Sequence, residues 1–211
     1  MIRGILMVAA VALLATAGPA FADQVPPPDY GWEDCGTALG MYGTGDPPIL
    51  ATNVIDPDPV HGGLHSLRLV DNSPSGTPQV YVAWVTGLVD GDSVYSSLWR
   101  YDVTPDASPS CRLWAHWNDD PTDVDVYSGS AGGNSDYGPG TGWDYVSYTW
   151  HVVEGHTGLV IEVRTYSNPG DTTWIDDLRV WIPDTATLHI PIAGASATDP
   201  VTWTEVKSMY R

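Results

Sequence analysis

Lysine is all but missing from this chain of 211 residues: Lys207 is the only one, and with seven arginines it stands against 26 acidic residues, for a formal net charge of −18. A surface so short of positive charge suits neither nucleic acid nor anionic lipid. Glutamate is scarce too, with four copies against 22 aspartates. Most of the aspartates stand beside Gly, Pro, Asn or Ser, where they make turns and offer oxygen ligands. The sole phenylalanine is Phe21, so the downstream rings are ten Trp and eleven Tyr, each with a polar handle. No apolar run beyond the first 22 residues approaches the ~20 residues of a membrane-spanning helix. The chain also lacks a G-x-S-x-G nucleophile turn and a phosphate-binding glycine loop. In HGGLH the histidines His61 and His65 are four apart, but without the Glu of a zinc protease and in a turn-to-strand context. Two carboxylates at a fixed separation would serve glycan hydrolysis, yet among 26 acids any pair can be imagined. A binding role, not catalysis, is the expectation.

Residues 1–22, MIRGILMVAAVALLATAGPAFA, combine a basic start at Arg3, an apolar run and Ala20-Phe21-Ala22 as a small-x-small cleavage site. They read as a signal peptide, with the mature protein beginning at Asp23 and an extracellular or cell-envelope address. Two cysteines, Cys35 and Cys111, then face an oxidising space, where one intramolecular disulfide is the simplest outcome and a pair of buried thiols the alternative.

Residues 23–29, DQVPPPD, read as a proline-rich leader. From Tyr30 to Ile182 short β-type runs such as ILATNVI, SLRLV, QVYVAWV, CRLWAHW and LVIEVRTY alternate with Gly, Pro, Asn and Asp clusters. Eight or nine strands at such spacing predict an all-β sandwich or barrel. The stretch Asn118 to Gly142 reads as a surface loop, and its acids as a solvated cluster, since the spaced Gly and terminal Glu of an EF-hand are missing. After Pro183 the chain reads as linker, ending in a short helix over WTEVKSMY with Thr202-x-x-Glu205 as capping box. That tail resembles the Trp-x-x-Val-Lys-x-x-Tyr-Arg endings of some secreted bacterial proteins, which implies a docking or sorting role toward envelope proteins.

In TTWIDDLRVW one parity of an extended strand collects Trp174, Asp176, Leu178 and Val180, which turns a carboxylate toward an apolar face. An unpaired acid there costs several kcal/mol, and a hard cation with oxygen ligands, Arg68 or backbone amides would each remove the cost. Three stretches resemble the carbohydrate-binding modules of families four, nine, sixteen and twenty-two: Gly31-Trp32-Glu33-Asp34, His61-Gly62-Gly63-Leu64-His65-Ser66-Leu67, and Trp174-Ile175-Asp176-Asp177-Leu178. Gly87 to Tyr95 and Thr141-Gly142-Trp143 fall where that family places a turn and a strand entry. The resemblance implies a jelly-roll β-sandwich over 30–182 and a structural calcium held by Glu33, Asp176 and main-chain oxygens around His61 and Gly63. Cys35 interrupts the opening segment, which leaves Glu33 and Asp34 as alternatives for one ligand.

Such modules stack pyranose rings on Trp and Tyr while hydroxyls meet polar neighbours. In CRLWAHWND, Arg112, Trp114 and His116 share one strand face, and an Arg and a His beside a Trp suit a groove better than a core. Trp84, Trp99 and Arg100 are added from strands expected nearby, whereas Trp143 and Trp150 read as packing. A secreted polysaccharide binder is the first expectation. A structural or adhesive envelope protein that uses the same sandwich for protein contacts is the second.

Overall fold

The computed structural model describes residues 29–103, 111–165 and 168–194. Eleven strands fill these segments, and no helix occurs among the described residues: β1 (Gly40–Tyr42), β2 (Ile49–Ile55), β3 (His65–Asp71), β4 (Gln79–Thr86), β5 (Ser93–Asp102), β6 (Arg112–Trp117), β7 (Gly129–Gly133), β8 (Gly142–His151), β9 (Gly158–Arg164), β10 (Thr172–Trp181) and β11 (Thr187–His189). All neighbours run antiparallel. One sheet has the order β1-β4-β9-β6-β7 with β11 also on β4, and the other β2-β3-β10-β5-β8. Chain segments pass repeatedly from one sheet to the other, which is jelly-roll connectivity. Between the sheets, Leu67, Leu69, Leu98 and Ile175 of the five-stranded layer meet Val80, Leu113, Ile161 and Val163 of the six-stranded layer.

Period-two alternation holds within most strands, but register shifts reset it. In β10 the core takes Ile175 before the shift between Asp176 and Arg179, then Leu178 and Val180 after it, with Asp177 at φ 50° absorbing the change. Trp174 and Asp176 therefore lie on the outer face of the sheet, and the single-parity expectation is corrected. In β4 a shift between Tyr81 and Ala83 puts Val80, Val82, Ala83 and Val85 in the core. Tyr81 and Trp84, of opposite parity, consequently share the outer face.

Four other expectations need correction. Eleven strands replace eight or nine, because three short ones join the expected runs: β1, β11 and, from the Asn118 to Gly142 segment, β7, which pairs with β6. The stretch after Pro183 is not linker at its start: β11 pairs β4, and Ile190 and Ile192 pack on the core. No disulfide forms, and both thiols are free, Cys35 exposed and Cys111 buried. Cys111 contacts Thr173 Oγ1 at 3.7 Å, whereas the Cys35 turn follows Tyr30, which bridges to Leu178 five residues further along β10. At about 3.3 Å per strand residue those two anchor points on β10 lie roughly 16 Å apart. Arg100 points inward, donating to Asp144 Oδ2 at 2.7 Å and to the Cys111 and Asp136 carbonyls at 2.7 Å each. Residues 1–28 and 195–211, which carry the expected signal peptide, the leader up to Pro28 and the C-terminal helix, lie outside the described residues.

Candidate functional site

Two clusters carry the chemistry. The first joins the opening segment, the His61 turn and the closing strand. Tyr30 and Leu178 exchange backbone hydrogen bonds of 2.8 and 3.0 Å. The turn that follows uses left-handed residues at Trp32 (φ 58°) and Cys35 (φ 67°), and Asn53 Nδ2 donates to the Trp32 carbonyl at 2.8 Å. That turn presents Glu33, whose Oε1 accepts from Leu64 N at 2.8 Å and His65 N at 3.1 Å. Asp176 Oδ2 accepts from His61 N at 2.8 Å and Gly62 N at 3.1 Å, and its Oδ1 from Asp177 N at 2.7 Å. Backbone amides, not Arg68, thus meet the acid; Arg68 stands 3.8 Å from Asp58.

Glycine is required where these pieces meet. A Cβ on Gly63, at φ 67°, would overlap the Glu33 carboxylate, and one on Gly62 would stand 2.6 Å from Asp177 Oδ1. From the Cβ position of Gly31, Asp176 Oδ1 is 3.3 Å away, Glu33 Oε1 3.6 Å and Asp177 Oδ1 3.8 Å. Asp176 is fully buried. Burial pushes its carboxyl up to about 7, with the Asp177 charge adding to the rise against the lowering backbone hydrogen bonds. Among the described residues no three His, Cys, Asp or Glu side chains are drawn into a chelating group. The His61 ring is committed elsewhere: its Nδ1 is 2.6 Å from Asp177 Oδ2, and it stacks on Trp99 at 4.1 Å. Asp34 also turns away, with Oδ2 accepting from Ala193 N at 2.8 Å and Oδ1 from the Tyr30 hydroxyl at 2.9 Å.

The second cluster covers the outer face of the six-stranded sheet. Arg112, Trp114 and His116 stand together there on β6, beside Glu162 and Arg164 of β9, with Trp114 opposite Glu162 in register. The Arg112 guanidinium lies 5.0 Å from the Trp114 ring and 4.5 Å from that of Tyr137, and the Arg164 guanidinium 4.5 Å from Trp114. The indole is therefore embedded in donors that stay planar against it. His116 Nδ1 hydrogen-bonds Glu162 Oε1, and Arg164 Nε donates to Glu162 Oε2 at 3.1 Å. With its amide nitrogen toward the carboxylate, Gln79 donates to Glu162 Oε2 at 2.6 Å and accepts from Arg164 Nη2 at 3.0 Å. His116 and Glu162 are both buried, and His116 Nε2 has no hydrogen-bond partner among the described residues. The Tyr127 ring, 66% exposed, stands 5.5 Å from His116 and forms a wall. Burial raises the Tyr81 hydroxyl well above the usual tyrosine range, with the charges of Glu162 and Asp125 adding to the rise.

The other three expected ligand residues do not join this face as available groups. Trp84 belongs to it but is sealed, stacked on His189 at 4.8 Å and packed with Val124 and Val160. Trp99 and Arg100 sit on β5, which belongs to the other sheet, Trp99 outward and Arg100 inward. What sequence reasoning missed is Glu162, Arg164, Gln79 and Tyr127. The signal for the first two was present: in LVIEVR two charges share one parity of a strand too apolar to be an edge, the same kind of anomaly that singled out Asp176.

No family model and no curated sequence matches the chain. Among solved structures it is similar to the N-terminal CBM22-1-CBM22-2 tandem domain of Xyn10C from Paenibacillus barcinonensis, with TM-score 0.50 and 14% identity over 81% of this chain and 48% of that one. It is likewise similar to the enzymatically active domain of bacteriophage CBA120 tailspike protein 4, with TM-score 0.50 and 14% identity over 75% of this chain and 21% of that one. The chain has the jelly-roll fold of the carbohydrate-binding modules. It spans about half the length of the tandem and about a fifth of the tailspike domain. In this jelly-roll fold, the polar and aromatic side chains gather on the outer sheet faces while the acidic turn ties the first segment to the closing strand.

Proposed function

We propose that the protein is an exported, non-catalytic glycan-binding module whose binding surface is the outer face of the six-stranded sheet. The observation that carries the reading is the Gln79-Arg164-Glu162-His116 network beside Trp114. Buried polar groups locked in mutual hydrogen bonds give fixed donors and acceptors, and Trp114, Tyr137 and Tyr127 supply ring surface. A sugar presents the complementary pattern of apolar ring faces and equatorial hydroxyls. The fold similarity to a carbohydrate-binding tandem supports the same class.

The reading includes a structural calcium at the first cluster. The chemistry of the donors supports it: Glu33 and Asp176 carry hard oxygens within 3.6 Å of one position beside Gly31, and the buried Asp176 carries a desolvation cost that a cation drawing the two together would remove. When bound, the ion would supply charge neutralisation and cross-linking, and this chain's part is to hold the Glu33 and Asp176 carboxylates at the junction of the opening segment and the closing strand.

The test of binding is mobility in native gels cast with soluble xylan, β-glucan and galactan. Retardation by at least one of them, reduced in Trp114→Ala and Glu162→Gln, is the expected result. Unchanged mobility on every glycan would overturn the reading, all the more if the protein self-associates instead.

A further inference from the structure

The outer face of the five-stranded sheet carries a second set of rings that the proposed groove does not use. Strand register arranges them in rows across β10, β5 and β8. Trp174 faces Tyr101, and Tyr101 faces Trp143; two residues along, Trp99 faces Tyr145; further on, Trp181 faces Tyr95. Ring centroids along the first row are 5.7 and 5.3 Å apart, Trp99 and Tyr145 are 5.5 Å apart, and Tyr95 and Trp181 4.9 Å. The Tyr95 and Tyr145 hydroxyls share a 2.7 Å hydrogen bond that ties two rows together. Tyr145 is 47% exposed, Trp143, Tyr101, Tyr95 and Trp181 are half-buried, Trp174 is buried, and the His61 ring covers part of Trp99 and abuts Trp143. Ser147, paired with the buried Ser97 between the rows, adds a hydroxyl.

From this we infer that the five-stranded sheet is a second glycan-binding face that takes a neutral polysaccharide, so that one domain holds two chains. The inference deepens the reading given above and rests on it. The ligand class follows from charge. The two cations of this face are already matched, Arg179 by Asp29 and Arg68 by Asp58 at 3.8 Å, and its one inner carboxylate, Asp176, is covered by the His61 turn. The molecule as a whole carries a net charge of −18. A second copy of the chain would bring the same large negative charge to it, and a polyanionic glycan would meet the same repulsion; a neutral sugar polymer meets none. The ring types agree, because every aromatic side chain here is Trp or Tyr, able to offer a flat apolar surface and a polar edge together. Rows at residues 95, 99 and 101 of β5, interrupted at Ser97, give a track that an extended chain can follow.

The experiment titrates wild type, Trp114→Ala, the double variant Trp143→Ala/Tyr145→Ala and the triple variant with soluble xylan, β-glucan and galactan in affinity gels, alongside sedimentation of each protein alone. Tyr145→Ala is run separately, since an exposed side chain can be truncated without disturbing the core. On a glycan that retards the wild type, each face variant should retain part of the retardation, with roughly tenfold weaker binding at the altered face, and the triple variant none. Wild-type protein should also cross-link long chains and raise turbidity, which either single-face variant abolishes. If Trp114→Ala alone removes all binding, or the Trp143/Tyr145 variants bind as wild type, the second face is overturned while the groove stands. If no glycan retards the wild type, both readings fall. A dimer that dissolves on Tyr145→Ala would overturn the proposal in favour of a second copy.

Discussion

Asp176 shows what a single buried acid does to a fold. Its carboxyl, pushed up to about 7 chiefly by burial, holds a proton in the folded protein that the unfolded chain has already released above its ordinary value of 3.8. Between those values the folded state binds more protons, so stability falls as pH rises through the window. Burial also raises Asp171, which adds to the same slope, whereas Asp120, lowered by its Thr122 hydrogen bonds, acts only at more acid pH. In chelator, urea unfolding of the wild type should lose a few kcal/mol, on the order of 2–4, from pH 4 to 7.5, and Asp176→Asn should remove most of that slope. A flat wild-type profile would mean that the acid is not desolvated. The cysteines give a second residue-scale prediction. The Cys111 thiol is raised to about 11 by burial, against the lowering effect of Arg100, while Cys35 is exposed. A thiol reagent should titrate one cysteine in the native protein and two after denaturation, and the unfolding midpoint should be indifferent to reductant. Two silent thiols that appear only on reduction would restore the disulfide.

At the scale of elements, Arg100 joins β5 to β8 and to the segment leading into β6. Its guanidinium is 2% exposed, and it meets Asp144, a second carboxylate at 3.8 Å and two carbonyls. Truncation strands Asp144 and both carbonyls, so Arg100→Ala should cost about 3 kcal/mol, somewhat less than a fully buried pair because Asp144 is partly solvated. Denaturant unfolding checks it; Arg100→Lys, with one point charge for a fork, should recover less than half. Arg100 also marks how far sequence carried. Strand existence was legible, because runs such as QVYVAWVT and LVIEVR are β-branched and bounded by turn residues, and so was the shared face of Arg112, Trp114 and His116, because β6 runs its core pairing with β9 without a shift. Facing failed where a bulge reset the parity, at Asp176 in β10. A bulge leaves no composition signal of its own. Neighbour identity failed for a different reason: β5 and β6 are consecutive in sequence yet belong to different sheets, and only the long-range pairing decides which residues from other strands surround Trp114.

For the molecule as a whole, the proposed ion is a matter of chain topology. Glu33 near the start of the sandwich, the turn 61–65 and Asp176 near its end are held to one another through six backbone-to-carboxylate and backbone-to-backbone hydrogen bonds around the Tyr30–Leu178 bridge. Contacts between such distant segments are won only after large loops close, and they are lost together when either end frays. A cation bound at this junction would favour the folded state alone. At a hundredfold excess over its dissociation constant it adds about 2.7 kcal/mol. For a domain of this size that corresponds to a rise of roughly 5–10 °C in the unfolding midpoint. Calcium added to chelator-treated protein should produce that rise, magnesium much less, since it demands a tighter and more regular shell than carboxylates fixed on separate segments provide. Glu33→Gln and Asp176→Asn should each abolish the calcium response, whereas Asp34→Asn, whose carboxylate serves Ala193 and Tyr30 instead, should keep it. Because the same turn lays the His61 ring on Trp99, calcium should also quench or shift part of the tryptophan emission, giving a second readout tied to that ring pair. A midpoint and an emission spectrum that ignore both chelator and excess calcium would leave the amide hydrogen bonds as the whole of what holds this acid in place.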